Sequence, residues 1–106
     1  MKNIMLACNA GMSTSLVVAR MEEVAKQQGK DYKIWAIDQG SIHNEIGNFD
    51  VLLLGPQIGF MLKKVTKLLE GKVPVATIKP GDYGRCDGVA VLKFAEDIYN
   101  KFYEEK

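Results

Sequence analysis

Four short apolar runs, each followed by an amphipathic stretch, constrain this chain most. Ile4-Met5-Leu6-Ala7 is the first. Tyr32-Lys33-Ile34-Trp35-Ala36-Ile37 is the second, rich in aromatic and β-branched residues. Val51-Leu52-Leu53-Leu54 is closed by Gly55-Pro56, and Val73-Pro74-Val75-Ala76-Thr77-Ile78 is closed by Pro80-Gly81. Runs this short, ended by turn residues, read as strands. Their continuous rather than alternating apolarity fits strands covered on both faces, as in a parallel sheet.

Helical patterns fill the intervals. Ser13 to Gln28 places Val17, Met21, Val24 and Gln28 on one stripe, and Gly29 follows as a stop. Gln57 to Glu70 carries Ile58, Met61, Leu62, Val65, Leu68 and Leu69 at i, i+3, i+4, i+7, i+10 and i+11. Lys63, Lys64 and Lys67 take its other face, a pattern usual for a solvated helix surface. The last helix starts near Asp87, a good N-cap, and buries Val91, Phe94, Ala95, Ile98, Tyr99 and Phe102. Gly40 to Asn48 is ambiguous, with room for a short helix over Ser41 to Ile46. The alternation is βαβαβαβα, which predicts one α/β domain over residues 1–106, with right-handed crossovers and helices on both sheet faces. Ligands of such sheets bind beyond the carboxyl ends of the strands. The loops there are Cys8–Ser15, Asp38–Ser41, Gly55–Gln57 and Lys79–Tyr83.

Composition removes several classes of function. Fourteen Lys plus Arg against thirteen Asp plus Glu leave a net charge of +1. With no basic tract, the electrostatic footprint of a nucleic-acid binder is missing. The two cysteines, Cys8 and Cys86, form neither CxxC nor a zinc spacing, so neither a dithiol site nor a metal is expected. No cofactor is expected either. No apolar run approaches the roughly 18 residues of a membrane span. A reducing, cytoplasmic setting is the expectation.

The first loop carries the chemistry. Cys8-Asn9-Ala10-Gly11-Met12-Ser13-Thr14-Ser15 leaves the first strand and enters the first helix. Small and polar residues let backbone N–H groups turn toward an anion, and the helix behind adds unpaired N–H groups and positive potential. Ser13, Thr14 and Ser15 offer hydroxyls for capping or for anion oxygens. Cys8 at the entrance is placed where a thiol pKa is depressed, which makes a thiolate nucleophile. The competing reading, a small buried hydrophobe closing a strand, suits the cysteine alone better than it suits the loop.

Neither GxxxxGK[ST] nor GxGxxG is present, which argues against a nucleotide. The Cys-x5-Arg pattern of tyrosine phosphatases nearly fits, but Thr14 stands where the arginine would be. An arginine there would grip phosphate oxygens bidentately and stabilise the transition state. Without it the loop can hold a phosphoryl group and is poorly equipped to hydrolyse esters. A phosphatase would also need a general acid, for which Asp82 is the candidate, although Pro80-Gly81-Asp82-Tyr83 reads first as a turn. Met12, Gln57 and Tyr83 are candidates for a rim that a partner touches, and Met12 is equally able to tuck beneath the loop. His43 lies in a polar segment without catalytic neighbours and reads as a surface residue, and Cys86 reads as structural.

These residues resemble the IIB component of the bacterial phosphoenolpyruvate-dependent sugar phosphotransferase system, lactose/cellobiose/chitobiose class. The likeness rests on Cys8 to Ser15, on Val51-Leu52-Leu53-Leu54-Gly55-Pro56-Gln57-Ile58, and on Tyr83-Gly84 with Asp87-Gly88. It implies a three-layer sandwich with a four-stranded parallel sheet of order 2-1-3-4, similar to low-molecular-weight tyrosine phosphatases. It implies that Cys8 takes a phosphoryl group from a phosphohistidine of a IIA component and passes it to a sugar, a β-linked disaccharide, in a membrane IIC component. The phosphate loop then maps onto Asn9, Ala10, Gly11, Met12, Ser13, Thr14 and Ser15, with Asn9 departing from the small residue associated with that place. The free subunit is expected to be a monomer that meets the membrane only through IIC. A cysteine phosphatase is the alternative.

Overall fold

The computed structural model describes residues 3–9 and 11–104, without the side chains of residues 11–13. Ala10 and the side chains of Met12 and Ser13, which the sequence singles out, therefore lie outside the described residues. In chain order the elements are β1 (Asn3–Cys8), α1 (Gly11–Gln27), β2 (Lys33–Asp38), a 3-10 segment (Gln39–Glu45), β3 (Val51–Leu54), a second 3-10 segment (Pro56–Met61), α2 (Leu62–Leu68), β4 (Val75–Thr77), α3 (Pro80–Gly84) and α4 (Gly88–Glu104).

The strands form one parallel sheet of order β2-β1-β3-β4. Strand β1 sits between β2 and β3, pairing Cys8 with Asp38 on one side and Ala7 with Leu54 on the other. The alternation of a strand's side chains divides the core in two. Ile4, Leu6, Val51 and Leu53 point to one face, under Val17 and Met21 of α1 and Val91, Leu92 and Ala95 of α4. Met5, Ala7, Leu52 and Leu54 point to the other, against Ile42, Phe49, Ile58, Val65 and Leu69. With both faces covered, β1 and β3 are apolar throughout, and Leu52, Leu53 and Leu54 are all fully buried. Truncating one of them to alanine would cost roughly 2–5 kcal/mol.

Helix boundaries depart from the sequence expectation in four places, the first being α1, which begins at Gly11 and not at Ser13, inside the stretch Cys8–Ser15 read as a loop. The segment from Gln57 to Glu70 is not one helix. Its first part is 3-10, kinked at Ile58 (φ −117°, ψ 21°), and only Leu62–Leu68 is α-helical. Gly59 belongs to that 3-10 part, and a Cβ there would lie 3.1 Å from Thr77 Cγ2 of β4. Leu68 is half exposed rather than in the core stripe, and Gln28 of the first stripe is exposed. The turn expected at Pro80-Gly81 is the start of the short helix α3, with Pro80 at a first-turn position where its missing N–H costs nothing. The ambiguous segment is 3-10 from Gln39 to Glu45, capped by Asp38, whose carboxylate accepts from the Gly40 N–H at 2.9 Å. Asp87 caps α4 as expected, accepting from the Ala90 N–H at 3.1 Å.

Among the described residues no helix is long and apolar enough to cross a membrane. Lys63, Lys64 and Lys67 are exposed, as is His43.

Candidate functional site: a thiol at the switch point of the sheet

In the order 2-1-3-4 the chain leaves β1 toward one edge and later returns to the other. The crevice between the ends of β1 and β3 is therefore where a ligand site forms. Cys8 is the last residue of β1, and the backbone closes the crevice through the Gly55 N–H, which donates to the Ala7 carbonyl at 2.9 Å. The first turn of α1, just beyond, contains no acidic residue to occupy its N–H groups.

The Cys8 side chain is only 2% exposed. Asn9 Oδ1, Gln57 Oε1 and the Tyr83 hydroxyl each lie 3.6 Å from its sulphur. Asn9 and Gln57 are exposed residues, so their amides can swing off the sulphur. Tyr83 is fixed. Its ring is 6% exposed, packed into the α1–α4 core, and its hydroxyl lies 2.8 Å from Thr14 Oγ1, which is fully buried in the first turn of α1. Burial pushes the Tyr83 phenol above its ordinary pKa; contact with Cys8 adds to this, while hydrogen bonds from Thr14 and Gln57 oppose it. The phenol therefore stays protonated at neutral pH and keeps its donor.

Gly55 shapes the same corner. A Cβ on it would stand 3.1 Å from the Cys8 sulphur and 3.0 Å from Gln57 Oε1. Its backbone, at φ −61° and ψ 150°, is ordinary, so glycine is needed there for room and not for conformation. Sequence reading placed Gly55 in a turn and in a loop at the ligand end of the sheet, but nothing local indicates that the sulphur fills the space of its missing side chain.

Three elements far apart in the chain thus meet on one sulphur: the β1–α1 junction, the segment after β3, and α3. Of the sequence candidates, Cys8, Asn9, Thr14, Gln57 and Tyr83 come together. Tyr83 lies under the mouth of the site rather than on its rim. Ser15 is exposed. Asp82, the candidate acid, has its carboxylate engaged by the Arg85 guanidinium at 2.9 Å. Cys86 is half-buried at the far end of α3, and His43 lies on the 3-10 segment after β2. Among the described residues no group of three or more His, Cys, Asp or Glu is placed to hold a metal ion.

A single thiol set at the switch point of a parallel sheet, before a helix start free of acidic residues, defines a class: cysteine-centred α/β proteins that handle anions. Comparison with known proteins narrows it. Residues 3–94 match the family described as "PTS system, Lactose/Cellobiose specific IIB subunit". The galactose-specific EIIB component of Lactococcus lactis subsp. cremoris (strain MG1363) is 47% identical over 105 residues, covering 93% of this chain and 97% of that protein. The cellobiose-specific EIIB component of Lactococcus lactis subsp. lactis (strain IL1403) gives the same identity and coverage. The oligo-beta-mannoside-specific EIIB component of Bacillus subtilis (strain 168) is 38% identical over 89 residues, 83% of this chain and 86% of that protein. Among solved structures, the cellobiose-specific IIB component of Borrelia burgdorferi superposes with a TM-score of 0.78 at 38% identity, over 94% of this chain and 93% of that one. The lactose-specific IIB domain of Streptococcus pneumoniae reaches 0.80 over 92% and 97% of the two chains, and at 14% identity it speaks for the fold alone.

The chain belongs to the lactose/cellobiose-specific IIB family of the sugar phosphotransferase system. It is a phosphocarrier subunit of sugar uptake and a transferase of phosphoryl groups, and the phosphatase reading is not favoured. Components of this kind work with IIA and IIC partners. The order 2-1-3-4 with helices on both faces is the phosphatase-like sandwich that the sequence resemblance implied.

Proposed function

We propose that Cys8 is the residue on which this subunit carries its phosphoryl group. The donor is a phosphohistidine of a IIA protein and the acceptor a hydroxyl of a β-linked disaccharide held by a membrane IIC protein, which places the subunit in the cytoplasm as a single domain. The observation that carries this reading is the position of the Cys8 sulphur, at the end of β1, before a helix whose first turn carries no acidic residue, and against the side chains of the exposed residues Asn9 and Gln57.

The two half-reactions balance on one atom. A lone pair of the Cys8 thiolate attacks phosphorus, the S–P bond forms, and the N–P bond breaks with its electron pair going to the donor imidazole. A sugar hydroxyl then attacks, the O–P bond forms as its proton is released, and the S–P pair returns to sulphur. The protein's part is position and electrostatics, with backbone N–H groups of the loop and of the first turn of α1 facing the equatorial oxygens. In this reading the cradle is the stretch Asn9 to Ser15 that the sequence offers. The absence of a loop arginine suits a carrier, which must release to a second protein what it accepts from the first.

Incubation with phosphoenolpyruvate, the general phosphocarrier proteins and a cognate IIA, followed by peptide mapping, tests this. One phosphate on the Cys8 peptide is expected, and none in Cys8→Ser. Label retained at the wild-type level in Cys8→Ser would overturn the reading. Rapid turnover of an aryl phosphate, lost in Asp82→Asn, would restore the phosphatase. The relatives are named as galactose-, cellobiose- and oligo-beta-mannoside-specific, and uptake assays with these sugars would rank the substrate.

A further inference from the structure

We propose that Tyr83 is a further catalytic residue, whose hydroxyl donates to the Cys8 sulphur, and that Thr14 is a positioning residue acting through it. This rests on the reading of Cys8 as the phosphoryl-bearing residue. The Tyr83 hydroxyl lies 3.6 Å from the sulphur and 2.8 Å from Thr14 Oγ1, and both hydroxyl residues are buried. A phenol has one proton to give. When Cys8 is a thiolate, the consistent arrangement is Thr14 O–H donating to the Tyr83 oxygen and Tyr83 O–H donating to sulphur. When sulphur carries phosphorus it is a poor acceptor, and the Tyr83 proton turns to Thr14. The chain thus has two polarities, one for each state of the carrier.

The amides of Asn9 and Gln57 present oxygen to the sulphur, and one S–H proton serves only one of them. To donate, either must rotate its amide, and both sit on exposed residues, whereas Tyr83 is buried and held against Thr14. The charged groups on neighbouring elements are engaged elsewhere: Asp38 caps its own 3-10 segment and Asp82 pairs with Arg85. A donor on the leaving thiolate matters most in the second half-reaction, when the S–P pair returns to sulphur. Tyr83 keeps its proton throughout.

The test is the pH dependence of Cys8 alkylation by iodoacetamide, read on the Cys8 peptide by mass spectrometry with the Cys86 peptide as internal reference. In Tyr83→Phe the Cys8 midpoint is expected to rise by about one pH unit, the order of effect of one hydrogen bond to a charged group. Onward transfer from phosphorylated protein to sugar is expected to slow about tenfold. Thr14→Val shifts the midpoint the same way by less, and Thr14→Ser restores it. A purely structural role would leave the midpoint unmoved, and an unmoved midpoint in folded Tyr83→Phe overturns the inference. Failure of the underlying reading shows separately, as wild-type phosphate mapped to a residue other than Cys8.

Discussion

The two cysteines of this chain sit in similar places and differ in everything that makes a thiol useful. Each comes just before a 17-residue helix, Cys8 before α1 and Cys86 before α4. At α4 the N-terminus is already served by an anion, because Asp87 caps it and accepts from the Ala90 N–H. Cys86 itself has φ 51°, the left-handed position just after α3, and packs half-buried against the α1–α4 core. At α1 the first turn carries no acid, and side chains from three distant parts of the chain converge on the sulphur. A helix start alone therefore does not make a site. The start of α1 differs in lying at the sheet's switch point and in carrying no acid, with the amides of exposed residues and a buried phenol against the sulphur.

Two glycines allow that comparison to be broken, because each keeps a Cβ away from one of the two regions. The larger effect belongs to the Cys86 side. A Cβ on Gly88 would lie 2.6 Å from the backbone carbonyl carbon and oxygen of Arg20, where α4 crosses α1. Backbone cannot give way as a side-chain tip can, so Gly88→Ala should lower stability by about 2 kcal/mol and the thermal midpoint by about 10 °C. Transfer activity of the molecules that remain folded should survive, as measured by phosphoryl uptake below the transition. Gly55→Ala should do the reverse. Its Cβ meets the sulphur and an amide tip, so stability should fall by less than about 1 kcal/mol while the displaced sulphur slows phosphoryl uptake about tenfold. The smallest effect is expected from Asp87→Ala, which removes the cap of α4. Chemical denaturation should show a loss of about 1 kcal/mol, with phosphoryl uptake unchanged.

Much of the fold was legible from the four apolar runs, because strands buried on both faces leave continuous rather than alternating apolarity. What the runs could not show was where helical geometry changes. Pro56 and Gly59 make a 3-10 start that a period count over Ile58, Met61 and Leu62 cannot distinguish from α-helix. Pro80-Gly81 reads equally as a turn or as the first turn of a helix, and α3 is the second. The site divides in the same way. Cys8 at the junction of β1 and α1 was legible because chain neighbours make that junction, although α1 begins at Gly11, inside the stretch read as a loop. Thr14 against Tyr83, and Gly55 and Gln57 against Cys8, are contacts between residues far apart in sequence, fixed only once β1 and β3 are paired and α3 folds back over the end of the sheet. Tyr83 read as a rim residue for that reason, since its position beside a loop was visible and its burial was not.

Phosphorus NMR of the protein after phosphorylation through the phosphoenolpyruvate relay tests whether one thiol alone is the carrier. A single thiophosphate resonance is expected, present in wild type and in Cys86→Ser and absent in Cys8→Ser. A resonance that survives in Cys8→Ser, or one that vanishes in Cys86→Ser while that variant stays folded, would contradict Cys8 as the sole carrier.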